Sequence, residues 1–161
     1  MGVRVESADF DVAREIAALR ANDARVGAVA VFIGTVRDVN DAATVSTMTL
    51  EHYPGMTEKA LEAIVADARA RFDILDALVI HRVGTLQPTD QIVLVAVTSA
   101  HRGDAFDACR FIMDYLKTRA PFWKKEQTAD GARWVDARVS DGAAAARWAR
   151  DGPDPESGQA T

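Results

Sequence analysis

Four basic residues lie within nine positions of the chain, in the stretch YLKTRAPFWKKE between Tyr115 and Glu126, and two aromatic residues lie between the first pair and the second. A lysine beside aromatic and apolar side chains can bind its proton less tightly and act as a nucleophile or a base. Lys117 and Arg119 also have a simpler explanation, because cations near the C-terminal end of a helix interact favourably with the helix dipole.

A strand predicted after Pro121 separates two of these lysines. Side chains alternate between the two faces of a strand, so Lys124 shares a face with Phe122 and Glu126 while Lys125 lies on the other. We therefore expect at most one lysine of this pair to face a cleft. The pattern does not say which one, and a solvated strand face explains both equally well.

A second candidate is the segment SAHRGD, Ser99 to Asp104, which joins a predicted buried strand to a predicted helix. Unpaired backbone N–H groups and the helix dipole favour an anion at such a junction. His101 and Arg102 would add donors, and the guanidinium can bind an oxyanion in a bidentate manner. The alternative is an ordinary helix start with two solvated side chains.

Other candidates stand alone in the sequence. Arg37 and Arg138 each end a predicted strand, where binding residues are common but surface arginines are commoner. His52 and His81 each lie in an apolar strand pattern, which favours structural histidines, half-buried and hydrogen-bonded in the case of His52. No histidine has the spacing of a metal-binding pair, so we predict neither a metal nor another cofactor.

Composition restricts the classes of function. The chain has 161 residues and a formal net charge of -5, so no overall positive field draws it to nucleic acid or to an anionic membrane. Anion binding must come from a local basic cluster. With Cys109 as the single cysteine, an intrachain disulfide is impossible, which suits a reducing compartment. No signal-type or membrane-length apolar run is present, and we expect a cytoplasmic protein.

The elements that must position these residues alternate between helical and strand periods. We predict strands at 27–36, 45–53, 78–83 and 92–99, and a hairpin of 122–127 with 133–138 around Asp130-Gly131. We also predict four helices. The first contains Val12 to Leu19, the second begins at a Thr57 cap, the third begins at an Asp104 cap, and the fourth covers 142–150. The fold class is therefore α+β, a largely antiparallel sheet with packed helices. We assign residues 1–150 to one domain and 151–161, DGPDPESGQAT, to a disordered tail.

Three segments closely resemble the large, catalytic subunit family of molybdopterin synthase. They are LEHYPGMTEKAL, VTSAHR and FIMDYLKTRAPFWKKE, and the shorter pieces GTVRD, IHRVG and RWVDAR occur in the same order at fitting spacing. The resemblance extends over roughly residues 5 to 148 and implies an α/β hammerhead-like fold that dimerises.

The resemblance also implies a reaction. The family converts cyclic pyranopterin monophosphate to molybdopterin by two sulfur transfers from the C-terminal Gly-Gly thiocarboxylate of a small ubiquitin-like partner subunit, within a heterotetramer. By this resemblance Lys117 and Lys124 are the catalytic residues. Arg37, His101, Arg102 and an Arg138 from the dimer mate would bind the pterin phosphate.

Two other functions fit the same residues. A non-catalytic module on a similar fold could use the lysines only as anion ligands. An adaptor could use Phe122-Trp123 and the hairpin as a docking edge for a ubiquitin-like protein.

Overall fold

The computed structural model describes residues 2–40, 43–135 and 139–150. Within them are four helices and nine strands. The helices are α1 (Val12–Arg20), α2 (Met56–Arg71), α3 (Arg102–Arg119) and α4 (Val139–Arg150). The strands are β1 (Gly2–Glu6), β2 (Ala28–Thr35), β3 (Val39–Asn40), β4 (Ala43–His52), β5 (Asp76–Arg82), β6 (Gly84–Leu86), β7 (Gln91–Ser99), β8 (Phe122–Thr128) and β9 (Gly131–Val135).

The first sheet has the strand order β1-β5-β7-β2. Strand β7 is central and pairs antiparallel with both neighbours, which confirms its prediction as a buried strand. Strand β1 was not predicted, and its pairing with β5 is parallel. Two short strands, β3 and β6, were also missed, because two or three residues carry no readable periodicity.

Alternation along β7 divides the core into two layers. Val93, Val95 and Val97 pack with the helix side formed by α2, α3 and α4. Leu94 and Ala96 face the other side, where Leu19 of α1 and Phe10 cover them. A strand buried on both faces needs apolar residues at every position, which is why β7 reads as one continuous apolar run.

The second sheet has the order β3-β4-β8-β9, with β6 also paired to β4. Strands β8 and β9 form the predicted hairpin, in which Thr128 lies opposite Gly131. Gly131 has φ +111°, a conformation that only glycine adopts easily, so the Asp130-Gly131 signal is confirmed.

Two predicted helix starts are wrong by two or three residues. Helix α2 begins at Met56 after Gly55, whose N–H donates to the Glu58 carboxylate at 2.6 Å. Thr57 is buried within the first turn, and its hydroxyl bonds the Tyr53 backbone. Helix α3 begins at Arg102, so Asp104 lies in its first turn. An acidic residue there is favoured by the helix dipole wherever the cap falls, so composition alone places a helix start only approximately.

Three sequence predictions lie wholly or partly outside the described residues, namely Arg138, the last three positions of the predicted strand 133–138 and the segment 151–161. The predicted helix near the C-terminus is confirmed as α4, which Trp148 attaches to α3 through a hydrogen bond of 2.7 Å from Nε1 to Asp114. In the described part of the chain, no helix has the length and apolar character needed to span a membrane.

Thr89 should be a site where a substitution raises stability. It has φ +77°, which is strained for a β-branched residue, while its N–H donates to the Val36 carbonyl at 2.8 Å. Thr89→Gly keeps this hydrogen bond and removes the strain, so we expect unfolding free energy to rise by about 1 kcal/mol in urea denaturation.

The comparison is Thr85→Gly, at an exposed position in β6 where the backbone is already extended and the hydroxyl lies 3.1 Å from that of Thr49. It should lower the unfolding free energy by about 0.5–1 kcal/mol. Equal losses from both glycines would contradict strain at Thr89.

Candidate functional site

The register of the second sheet places Lys124 on a half-buried face. Leu50 of β4 lies directly opposite Lys124, and Val135 of β9 lies opposite on the other side. The Lys124 side chain is 32% exposed, and its Nζ lies 3.9 Å from Glu126 Oε1. Lys125 is exposed on the other face, with its Nζ 5.7 Å from the centre of the Trp134 ring. The predicted separation of the two lysines is confirmed, and Lys124 is the inward one.

A buried carboxylate accompanies Lys124. Glu126 is 2% exposed in its side chain, and Oε2 lies 3.4 Å from a guanidinium nitrogen of Arg133, the residue opposite it on β9. Burying a lone carboxylate is costly, so the two cations stabilise its charge and it in turn holds them. Glu126 was not among the predicted site residues. Its shared face with Lys124 was the signal that could have identified it.

Lys117 approaches the same region from the helix layer. It lies in the last turn of α3, directly after the buried Leu116. Its positive charge acts on His81, whose ring stacks on Phe122 with 3.8 Å between the ring centres. Since Phe122 precedes Lys124 by two residues on the same face of β8, both lysines are neighbours of the Phe122–His81 stack.

His81 itself is structural, as predicted. Its side chain is buried, and Nδ1 lies 2.8 Å from the Arg82 carbonyl oxygen. Burial lowers its pKa to about 4, and the charges of Lys117 and His52 act in the same direction. His81 is therefore neutral at physiological pH and adds no charge beside Lys117.

Arg37 lies at this end of the first sheet. The preceding residue, Val36, donates its N–H to the Asp90 carbonyl at 2.9 Å, beside the start of β7. Helix α3 follows β7 after a tight turn and runs in the opposite direction beside it. Near the middle of both elements, Cys109 Sγ lies 3.8 Å from the Val95 carbonyl oxygen. The end of α3 that carries Lys117 therefore lies at the start of β7, near Arg37. The Arg37 side chain is exposed.

His101 and Arg102 lie at the opposite end of α3. Lys117 follows Arg102 by fifteen positions, which corresponds to about 22 Å along a helix. Both side chains are exposed, next to the start of β2, where Gly27 approaches so closely that a Cβ would lie 2.2 Å from the Ala100 oxygen. Within one chain, the structure brings Lys117, Lys124 and Arg37 to one end and leaves His101 and Arg102 at the other.

His52 differs from its prediction in one respect. It is half-buried as expected, and it lies opposite Phe122 with 6.3 Å between ring centres. Its Nδ1 is a buried atom with no hydrogen-bond partner among the residues that the structure describes. Buried polar atoms are normally paired, so this nitrogen is an exception that requires an explanation.

We call the end of the molecule that carries Lys117, Lys124 and Arg37 the lysine end. It combines cations from three parts of the chain beside the Phe122–His81 stack, and such a group of cations is suited to binding an anion. In the described ranges, no group of three or more His, Cys, Asp or Glu side chains has an arrangement that could hold a metal ion. The described residues can neutralise an anion that binds here, and they can stabilise negative charge that develops during a reaction.

Comparison with known proteins identifies close relatives. The family model described as "MoaE protein" matches residues 5–119. The molybdopterin synthase catalytic subunit of Ralstonia nicotianae is 71% identical over 91% of this chain and 83% of its own length, and that of Pseudomonas aeruginosa is 57% identical over 92% and 99%. A solved structure, the molybdopterin biosynthesis MoaE protein from Burkholderia ambifaria, is 59% identical, covers 92% of this chain and 97% of that one, and has a TM-score of 0.79.

Replacing the buried carboxylate tests its pairing with the two cations. Glu126→Gln removes the negative charge that lies beside Lys124 and Arg133. We therefore expect a loss of about 1–3 kcal/mol in unfolding free energy, reduced from a fully buried pair because both cations are partly exposed. Urea denaturation measures it. The control Glu62→Gln, on the exposed face of α2, should change stability by less than about 0.5 kcal/mol. A similar small change for both would contradict the pairing.

Proposed function

This chain belongs to the MoaE family of molybdopterin synthase catalytic subunits, and we propose that it performs its sulfur transfer at the lysine end of the two sheets. The synthase acts in molybdenum cofactor biosynthesis. The observation that carries the site assignment is the half-buried Lys124 beside the Phe122–His81 stack, with Lys117 arriving from a separate element.

The substrates explain why a chain of net charge -5 concentrates cations here. We propose cyclic pyranopterin monophosphate as the acceptor and, as the sulfur donor, a ubiquitin-like partner ending in a Gly-Gly thiocarboxylate. Both are anions. Lys124 and Lys117 neutralise the thiocarboxylate and stabilise the oxyanion that develops as sulfur is transferred. Arg37 contributes to phosphate binding at the same end.

Glu126 supports Lys124 in this role. A lysine on a flexible four-carbon chain loses conformational freedom when it must point at one atom. The Glu126 carboxylate, itself held by Arg133, restricts the ammonium group before the substrate arrives. The partner's tail therefore meets a charge that is already oriented.

Completion of the phosphate site requires a second copy of the chain. Strand β2 forms an edge of the first sheet among the described strands, and three consecutive apolar side chains on it are about 40% exposed, namely Val31, Phe32 and Ile33. Exposed apolar residues on an edge strand are typical of a surface that pairs with another chain. We propose that two copies associate there around a two-fold axis.

Antiparallel association through β2 has a consequence for the site. The end of β2 that leads to Arg37 in one copy lies beside the start of β2 in the other, next to His101 and Arg102. These two residues then join the lysine end in trans. The family resemblance assigns the same origin to Arg138. We propose a homodimer within a heterotetramer, in the cytoplasm, with residues 1–150 as the catalytic domain.

Single substitutions distinguish the two faces of β8. Lys124→Ala and Lys117→Ala each remove a cation from the reacting groups, and we expect the rate of molybdopterin formation to fall by about 100-fold or more in each. Lys125→Ala, one residue away on the exposed face, is the matched control and should retain the wild-type rate. The assay is single-turnover sulfur transfer from purified thiocarboxylated partner. Near-normal rates in both lysine variants would exclude the assignment.

Complementation tests the origin of Arg102. We expect Lys117→Ala and Arg102→Ala dimers to be inactive separately. A heterodimer of the two, purified with two different affinity tags, has one site in which both residues are intact if Arg102 acts in trans, so it should recover about half of the wild-type activity. If Arg102 acted in its own chain, both sites of the heterodimer would be defective, and no activity would return.

A further inference from the structure

His52 is the histidine that a single chain offers to its own lysine end as a base. Of the three histidines in the chain, His81 is buried and bonded to the Arg82 carbonyl. His101 lies at the far end of α3 in its own chain, and the His101 of a second copy is assigned to phosphate binding. His52 is half-buried and lies on the sheet face that carries Lys124.

The β4–β8 register brings His52 within reach of Lys124. His52 pairs with Phe122, and the next pair on the same face is Leu50 with Lys124, so His52 and Lys124 are diagonal neighbours, about 7–8 Å apart between Cα atoms. His52 and Lys117 also both lie close enough to the His81 ring to influence its pKa. His52 therefore lies among the groups to which the sulfur transfer has been assigned.

The chemistry at this site requires a proton acceptor, which the lysines do not provide. When the thiocarboxylate sulfur attacks a pterin carbon, a C–S bond forms and a C–O bond at that carbon breaks. The oxygen leaves with the electron pair as an oxyanion, which the lysine ammonium groups stabilise, and the partner's last glycine becomes a thioester of the pterin. Water must then break the thioester to free the partner. A protonated lysine that neutralises an anion has no lone pair to accept a proton from this water, whereas imidazole has one near neutral pH.

The carboxylates of Glu126 and Glu51 are not placed to act as this base. Glu126 is buried between Lys124 and Arg133. Glu51 precedes His52 and lies on the opposite face of β4. The Nδ1 atom of His52, in contrast, is a buried atom with no hydrogen-bond partner among the described residues.

We propose that His52 is the general base for hydrolysis of the thioester that joins the partner's C-terminal glycine to the pterin. This inference rests on the proposed function. Water oxygen adds to the thioester carbonyl carbon while His52 takes its proton. The tetrahedral intermediate then collapses, the C–S bond breaks with its electron pair on sulfur, and a pterin thiolate and the partner's carboxylic acid result. No oxidant or reductant is required.

A single-turnover experiment with acid quench and intact-mass measurement of the partner tests this step. His52→Gln keeps the size and polarity of the side chain but accepts no proton at neutral pH. We expect the partner–pterin thioester to accumulate in this variant and to break down about 100-fold more slowly than in the wild type, while the first attack keeps its rate. Glu51→Gln is the matched control and should behave as the wild type.

Chemical rescue separates a base from a structural residue. In His52→Gly, added imidazole should restore thioester breakdown in a concentration-dependent manner, and thermal unfolding measures any loss of fold. Wild-type breakdown in His52→Gln, slowing of the first attack instead of the second step, or failure of imidazole to restore a folded His52→Gly would each overturn the proposal. If the wild-type chain formed no molybdopterin, the proposed function itself would fail.

Discussion

The pairing register between β4 and β8 is the constraint on which the site depends. Leu50 opposite Lys124 and His52 opposite Phe122 place one lysine, one histidine and one buried carboxylate on a single face. A slip of one residue would exchange Lys124 for the exposed Lys125 and would bring Lys125 and Trp123 to the half-buried face. The stack of Phe122 on His81 opposes such a slip, because Phe122 would move to the opposite face of the sheet and lose this contact.

The path of the chain from β7 into α3 accounts for the second lysine. A helix that follows its strand through a tight turn runs back along it, so the two ends of α3 lie at opposite ends of the first sheet. Lys117 is therefore carried to the Phe122–His81 stack, while Arg102 stays about 22 Å away. The same geometry that builds the lysine end leaves the basic pair at the other end of α3. The edge position of β2 offers a way to unite them in a dimer.

A small number of charged groups determines the electrostatic potential at the lysine end. Glu126 neutralises part of the positive charge of Lys124 and Arg133, and the depressed pKa of His81 keeps a further cation from forming beside Lys117. A cluster built only of cations would repel itself and bind any anion. One buried carboxylate and one neutral histidine leave a positive region that is restricted to the lysines and Arg37.

Features that depend on neighbours in the sequence could be predicted from it. Alternation separated Lys124 from Lys125, the continuous apolar run identified β7 as central, and Asp130-Gly131 located the hairpin. Helix starts were less accurate, because Thr57 and Asp104 resemble caps but lie inside the first turn. In each case the signal is a local backbone or side-chain preference, so it is present in a short stretch of residues.

Tertiary structure decided which of these residues meet. The choice of Lys124 as the inward lysine, the pairing of Glu126 with Arg133, and the separation of Arg102 from Lys117 all follow from strand register and from the direction of α3. The partners involved are remote in the sequence, as Leu50 is from Lys124. Their meeting is set by burial of apolar surface over the whole domain, which no local pattern contains.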